Sequence, residues 1–274
     1  MAPQPMPVRV LVVDDDAMSR DLLGVLLEAE GYRVECADSG DAALALLRGS
    51  AAPPKIVLAD LQMPGITGSR LADALHRTCG PATLLLAMSA SEPAGDAVSR
   101  FDGFVMKPFT MQEFAAAVEK ASALVAASTR AAASKPEMED SALEVQPATA
   151  FVEGETEGCP ALDERIYGQL ADAMPTAQLH QMYAMCMNDA RDRIAAMRGL
   201  VAERDQAQFV REAHTIKGSC GMLGATELYG MAARLETAGL QAAGLDQAGC
   251  VNPLDELSTA CDRLERILGE RASV

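Results

Sequence analysis

In the first 120 residues, four of the short apolar runs are followed directly by polar side chains of the types that bind or accept phosphoryl groups. They are three consecutive aspartates, a fourth aspartate, a serine and a lysine: Asp14, Asp15, Asp16, Asp60, Ser89 and Lys107. Crowded carboxylates repel one another unless a cation lies among them, and oxygen-only ligands suit Mg²⁺. A lysine and a hydroxyl nearby would bind the oxygens of an incoming phosphoryl group. These residue types therefore indicate a site at which a carboxylate is phosphorylated.

Alternating strands and helices are needed to bring these residues together. Apolar runs predict strands at Val8–Val13, Tyr32–Ala37, Ile56–Ala59, Thr83–Met88 and Phe104–Met106. Amphipathic stretches predict helices at Ser19–Glu30, Ser39–Arg48, Ser69–Arg77, Ala94–Arg100 and Met111–Val125. Five such units predict a parallel sheet covered on both faces. Because ligands bind beyond the carboxyl ends of parallel strands, we expect the polar residues to share one pocket.

The segments that carry these residues resemble the signature segments of response-regulator receiver domains. VLVVDDD, LADLQMPGITG, LLLAMSA and GFVMKPF occur in the order typical of that family. The resemblance covers about residues 7–125 and implies a flavodoxin-like, five-stranded parallel (βα)₅ fold. One departure is the short distance from Ser89 to Lys107, 18 positions, which predicts a short or irregular fourth helix.

The resemblance also implies a role for each matching residue. Asp60 is the implied phosphoacceptor. The implied cofactor is Mg²⁺, held by three carboxylates and a backbone carbonyl, those of Asp14, Asp15, Asp60 and Gln62. The implied phosphoryl-binding and switch residues are Ser89, Lys107 and Phe104. Asp16 has no fixed role in the family, and the Lys107–Pro108 bond is expected to be cis.

The chain after residue 125 changes character twice. Residues 126–160 combine Pro, Gly, Ser, Thr and acidic residues without periodicity, which predicts a flexible acidic linker between domains at 1–125 and 161–274. Apolar residues then recur every three to four positions, which predicts helices at Ala161–Met174, Thr176–Glu203, Gln206–Met222, Thr226–Ala243 and Pro253–Arg271. We therefore expect a four-helix bundle with a short leading helix.

One histidine of the helical region lies in the segment HTIKGSCGMLG. Helical spacing predicts a buried stripe of Ala213, Ile216, Cys220 and Leu223. The same spacing predicts that His214 and Lys217 share a different, solvated face. A neutral imidazole is a competent nucleophile near pH 7, and a lysine ammonium can neutralise part of a phosphoryl charge.

This segment resembles the core motif of histidine-containing phosphotransfer (HPt) domains, and the resemblance covers about residues 160–272. It implies that His214 carries a phosphoryl group and that Lys217 is its phosphoryl-binding partner. It also implies that two small residues permit a receiver to dock, Gly218 and Ser219. His76 and His180 lack such a setting and are expected at ordinary surface positions.

Composition narrows the classes of function. A formal net charge of −16 and a pI of about 4.6 argue against binding to nucleic acid or anionic membranes. Seven cysteines form no CxxC pair and predict reduced thiols. No secretory signal and no apolar run of about 20 residues is visible, so we expect a cytoplasmic protein.

The combined interpretation is a phosphorelay protein without its own kinase domain, and not an enzyme. The expected partners are a sensor histidine kinase, other receiver domains, or both, with docking of the two domains within one chain. One alternative is a phosphorylation-gated binding module or phosphate sink, in which His214 does not transfer phosphate. A second is a Mg²⁺-dependent phosphohydrolase with an aspartyl nucleophile on the first strand. That class needs a DxDx[TV] segment, whereas Asp16 is followed by Ala17 and Met18.

Overall fold

The computed structural model describes residues 7–50, 52–93, 97–133, 160–243 and 252–272. The chain divides into two compact units. The first contains the five strands and the second contains the C-terminal helices, with Asp16–Gly31 grouped in the second. Most of the predicted linker lies outside the described residues. Across those ranges, no helix is both long and apolar enough to cross a lipid bilayer.

The first unit contains one parallel sheet with the order β2-β1-β3-β4-β5. Its strands are β1 Arg9–Val13, β2 Arg33–Ala37, β3 Ile56–Asp60, β4 Leu84–Ser89 and β5 Gly103–Met106. The central β3 is buried along its whole length, as expected of a strand covered on both faces. The predicted flavodoxin-like sheet is therefore confirmed.

Helices follow the first, second, third and fifth strands. They are α1 Ala17–Ala29, α2 Gly40–Gly49, α3 Gly68–Cys79 and α4 Met111–Ala133. Asp16 and Ser39 cap α1 and α2, because each side chain accepts a hydrogen bond from a backbone N–H in the first turn. Between β4 and β5 the described residues 97–100 form a turn, so the helix predicted over Ala94–Arg100 is wrong for these residues, and the short distance from Ser89 to Lys107 leaves little chain for one. Helix α4 continues eight residues beyond the predicted end at Val125.

The second unit contains the predicted helical bundle. Its C-terminal helices are α5 Glu164–Ala173, α6 Thr176–Glu203, α7 Gln206–Met222, α8 Thr226–Ala238, α9 Leu240–Ala243 and α10 Pro253–Ala272. Helix α6 packs on α7, α7 on α8, α8 on α10 and α10 on α6, which closes a ring of four long helices. The predicted bounds of α6 and α7 match the structure. The single helix predicted over Thr226–Ala243 is instead interrupted at Gly239, where φ is +57°.

Gly224 lies in the turn between α7 and α8 and packs against the start of the leading helix α5. Its φ of +73° lies in the left-handed region, and its carbonyl accepts a hydrogen bond of 2.7 Å from the Asp163 N–H. A Cβ at this position would lie 2.9 Å from the Cβ of Ile166. The close approach of α5 therefore requires glycine here.

We expect Gly224→Ala to destabilise the protein by about 2–3 kcal/mol, because it adds left-handed strain and a clash with Ile166. The measurement is urea unfolding of the full chain, followed by helical circular dichroism. Gly199→Ala is the matched control: nothing lies within 4 Å of its added Cβ, and alanine in a helix stabilises by about 0.5–1 kcal/mol. Equal unfolding midpoints for Gly224→Ala and the wild type would contradict this explanation.

Candidate functional sites

The first candidate site lies at the carboxyl ends of β1, β3 and β5. The ammonium Nζ of Lys107 is 2.6 Å from an oxygen of Asp14 and 2.6 Å from an oxygen of Asp60. All three side chains are buried, with at most 4% of each residue exposed. The topology thus brings together residues that are up to 93 positions apart in the sequence.

Two hydrogen bonds orient the carboxylate of Asp60. Its Oδ2 accepts the Lys107 bond, and its Oδ1 accepts a bond of 2.8 Å from the backbone N–H of Gln62. The hydroxyl of Thr67 donates to the backbone carbonyl of Leu61 at 2.8 Å and holds the loop after β3 in place. Thr67 is a positioning residue that the sequence analysis did not identify.

Of the remaining predicted residues, Ser89 and Asp15 lie at or just after strand ends, whereas Phe104 does not. Ser89 ends β4 and is 1% exposed, and its carbonyl accepts a 2.7 Å bond from the Lys107 N–H. Phe104 lies within β5 and is half-buried. Asp15 is exposed, directly after the buried Asp14. The Lys107–Pro108 bond is cis, as predicted.

The charges of this site are strongly coupled. Burial alone would lower the pKa of Lys107, but the nearby Asp60 and Asp14 carboxylates raise it above its usual value. Lys107 therefore stays charged. Asp15 is exposed as a whole residue, but partial desolvation of its carboxyl group, followed by repulsion from Asp14 and Asp60, raises the pKa of Asp15.

Within the described ranges, no group of three or more His, Cys, Asp or Glu side chains is arranged to hold a metal ion. The Lys107 ammonium lies between two of the expected ligands, Asp14 and Asp60. Its positive charge partly neutralises the two carboxylates. The donor set nevertheless suits Mg²⁺, since it consists of oxygen atoms. A cation bound among these carboxylates would also reduce the repulsion of Asp15 by Asp14 and Asp60.

The second candidate site joins α7 to α8. Nδ1 of His214 is 2.7 Å from one oxygen of Glu236, and the ammonium of Lys217 is 2.7 Å from the other. The side chains of His214 and Glu236 are 12% and 14% exposed. A single carboxylate thus holds both the imidazole and the lysine.

Glu236 determines which imidazole nitrogen carries the proton. Burial would raise the pKa of Glu236, but hydrogen bonds from His214 and Lys217 hold it at about 2. At neutral pH the carboxylate is therefore ionised and can only accept hydrogen bonds. Nδ1 of His214 must then carry the proton, which leaves the lone pair of a neutral imidazole on Nε2.

Lys217 and Ser219 lie in different surroundings from those expected. Lys217 was expected on a solvated face, but it is 6% exposed because α8 covers it with Glu236 and Tyr229, whose ring centroid is 6.0 Å from Nζ. Ser219 is 3% exposed, and its hydroxyl donates to the carbonyl of Thr215 at 3.0 Å. The side chain of Ser219 is therefore turned towards its own helix. Gly218 is half-buried, and the predicted stripe on α7 is fully buried.

Sequence reasoning missed Glu236, which comes 22 positions after His214. The only local feature of the sequence that could have indicated a role for Glu236 is its position next to the buried Leu235 on α8. The other two histidines have different surroundings. His76 Nε2 is 3.0 Å from the carbonyl of Arg100. In the described part of the chain, Nε2 of His180 is buried without a hydrogen-bond partner, so this histidine is not fully at the surface.

Two family models match the chain at these sites. Residues 10–119 match the response regulator receiver domain, and residues 181–267 match the Hpt domain. The first match contains every predicted residue of the strand-end site. The second contains His214, Lys217 and Glu236.

Curated relatives match part of the chain. The transcriptional regulatory protein ResD of Bacillus subtilis (strain 168) is 34% identical over 109 residues, which cover 38% of this chain and 44% of ResD. The response regulator MprA of Mycobacterium sp. (strain KMS) is 35% identical over 115 residues, 40% of this chain and 49% of MprA. The chain thus spans about half the length of these relatives.

A solved structure also matches part of the chain. The response regulator protein TrrA from Thermotoga maritima, solved in complex with Mg(2+)-BeF, is 29% identical. The match covers 42% of this chain and 98% of TrrA, with a TM-score of 0.37.

Proposed function

Since the chain contains a response regulator receiver domain and an Hpt domain, we propose that it is a phosphorelay protein. It accepts a phosphoryl group on Asp60 and carries one on His214, in exchange with receiver aspartates. The observation that carries this proposal is the presence of two chemically complementary nucleophiles in one chain. One is a buried carboxylate beside a lysine, and the other is an imidazole whose Nδ1 is held by Glu236.

Each group at the strand ends has a role in phosphorylating Asp60. A carboxylate oxygen attacks phosphorus, an O–P bond forms, and the bond to the donor's leaving group breaks. The N–H of Gln62 holds the other oxygen and orients the nucleophile. The ammonium of Lys107, already 2.6 Å from Asp60, then binds a phosphoryl oxygen, and the Ser89 hydroxyl binds another.

Mg²⁺ belongs to this proposal as the cofactor of the first site. Asp14, Asp15, Asp60 and the carbonyl of Gln62 would hold it. When bound, it neutralises charge on the phosphoryl oxygens. Phe104 is proposed as the residue that responds to phosphorylation.

His214 completes the relay. Its Nε2 attacks the phosphorus of an aspartyl phosphate, so that an N–P bond forms as the O–P bond breaks and the carboxylate leaves. The proton stays on Nδ1, hydrogen-bonded to the ionised carboxylate of Glu236, which stabilises the positive charge that develops on the ring. Lys217 is held within reach by the same carboxylate and balances phosphoryl charge. Gly218 keeps bulk away from the approaching receiver.

The proposal includes partners and location. The phosphoryl groups come from a sensor histidine kinase or from other receiver domains, and the chain acts as a carrier rather than an enzyme. The described cysteines form no disulfide bond with one another, which is typical of a reducing compartment such as the cytoplasm. The domain bounds proposed are 1–125, 126–160 and 161–274.

Transfer within one chain is the first test. After a pulse of acetyl phosphate, phosphate should appear on His214 at a rate independent of protein concentration, because linked domains meet at a high effective concentration. A mixture of Asp60→Asn and His214→Gln chains leaves only transfer between molecules, which should be slower and scale with concentration. If the wild-type rate also scales linearly at low micromolar concentration, the two domains serve separate external partners.

Glu236 is a positioning residue in this scheme. We expect Glu236→Ala to lower the rate of phosphoryl transfer to His214 about tenfold to a hundredfold, because the ring loses its fixed tautomer and orientation. Glu236→Gln should restore much of the rate, since an amide oxygen still accepts a hydrogen bond from the Nδ1–H group. Glu227→Ala is the control: it removes another carboxylate of α8, one that pairs with Arg263 of α10, and should transfer normally. Equal rates for Glu236→Ala and Glu227→Ala would refute this role.

A further inference from the structure

Two cysteine side chains are in contact in the core of the helical bundle. The Sγ atoms of Cys186 on α6 and Cys220 on α7 are 3.7 Å apart, and the residues are 3% and 0% exposed. Cys220 lies six positions after His214 on the same helix. We propose that this pair is a redox modification site, at which hydrogen peroxide converts the two thiols into a reversible disulfide bond.

The geometry favours this pair over other cysteines of the described residues. A disulfide has an S–S distance of about 2.05 Å, so the two sulfur atoms need to approach by about 1.6 Å. They already face each other across neighbouring helices that pack directly. Cys36 is exposed on β2 in the other unit, and Cys79 is buried at the end of α3. Cys261, on α10, is the remaining described thiol of the bundle.

The environment of the pair gives the two sulfur atoms different roles. The hydrogen bond with Cys186, followed by burial, raises the pKa of Cys220 well above its usual value. Cys220 therefore keeps its proton, whereas Cys186 is the slightly more accessible of the two. Cys186 is the sulfur that meets the oxidant first. Because both residues are buried, a small oxidant such as peroxide is favoured. The rate of oxidation is then limited by local opening of the bundle.

The oxidation balances in two steps. The Cys186 sulfur attacks one peroxide oxygen, the O–O bond breaks, and a sulfenic acid and one water form. The Cys220 sulfur then attacks the Cys186 sulfur, the S–O bond breaks, and a second water leaves with the Cys220 proton. Two thiols and one peroxide give one disulfide and two waters. The new bond would tie the helix of His214 covalently to α6.

The test is peptide mapping of the full-length protein after treatment with hydrogen peroxide. Free thiols are blocked, the chain is digested without reductant, and all seven cysteines are read by mass spectrometry. The expected result is a linked peptide pair that contains Cys186 and Cys220 and disappears with dithiothreitol. A different major pair, or free thiols at both positions in protein whose exposed Cys36 is oxidised, would overturn the proposal.

Two variants sharpen the result. Cys261→Ser removes a thiol from the same core and should leave the linked pair intact, whereas Cys186→Ser should abolish it. Helical circular dichroism tests whether each variant is folded. If a variant is unfolded, the peptide map of the wild type alone decides whether Cys186 and Cys220 form the linked pair. Loss of the linked pair in Cys261→Ser would also contradict the assignment.

Discussion

Asp60→Asn should remove phosphorylation of the protein by acetyl phosphate. The wild type should gain a phosphoryl group in the presence of Mg²⁺, whereas the variant should gain none by intact-mass analysis. The reason is that the attacking atom is a carboxylate oxygen, and the amide of asparagine is too weak a nucleophile to replace it. The variant keeps the shape of the side chain and can still accept the bond from Gln62. The loss would therefore report the chemistry of Asp60 and not a collapsed pocket.

Asp73→Asn is the matched control for this experiment. Its carboxylate is exposed on α3, 3.8 Å from Arg100, and lies outside the pocket of Lys107. This variant should be phosphorylated like the wild type, and chelation of Mg²⁺ should abolish the reaction in both. Persistent labelling of Asp60→Asn at the wild-type level would show that another residue is the acceptor.

His214→Gln should abolish the second phosphorylated species. Phosphohistidine is stable in base and labile in acid, whereas aspartyl phosphate is labile in base, so the two products can be separated by chemical stability. We expect the base-stable product to fall to background in this variant, because Nε2 is the attacking atom and glutamine has no equivalent lone pair. Phosphorylation of Asp60 itself should continue.

His180→Gln is the control, since it removes a histidine from α6 and leaves the pair formed by His214 and Glu236 in place. It should yield the base-stable product at the wild-type level. If His214→Gln also retains that product, the phosphohistidine lies elsewhere. If neither the variant nor the wild type forms any, the binding-module alternative gains support.

The sequence by itself determined much of the fold and most of the strand-end site. Apolar runs and helical spacing are local patterns, and they predicted the five strands and the bounds of α6 and α7. A parallel sheet brings the carboxyl ends of its strands to one edge. The predicted proximity of Asp14, Asp60 and Lys107 therefore followed from their places at strand ends, and the structure confirms it.

Other features were decided only by tertiary packing. Helical spacing showed that His214 and Lys217 share a face, but not that α8 covers Lys217 there. The same limit explains why Glu236 was missed and why the contact between Cys186 and Cys220, 34 positions apart, had no signal in the sequence. Spacing along a helix relates residues within that helix. Which side chains of a neighbouring helix meet them depends on how the bundle closes, and that is settled by the packing of all four helices together.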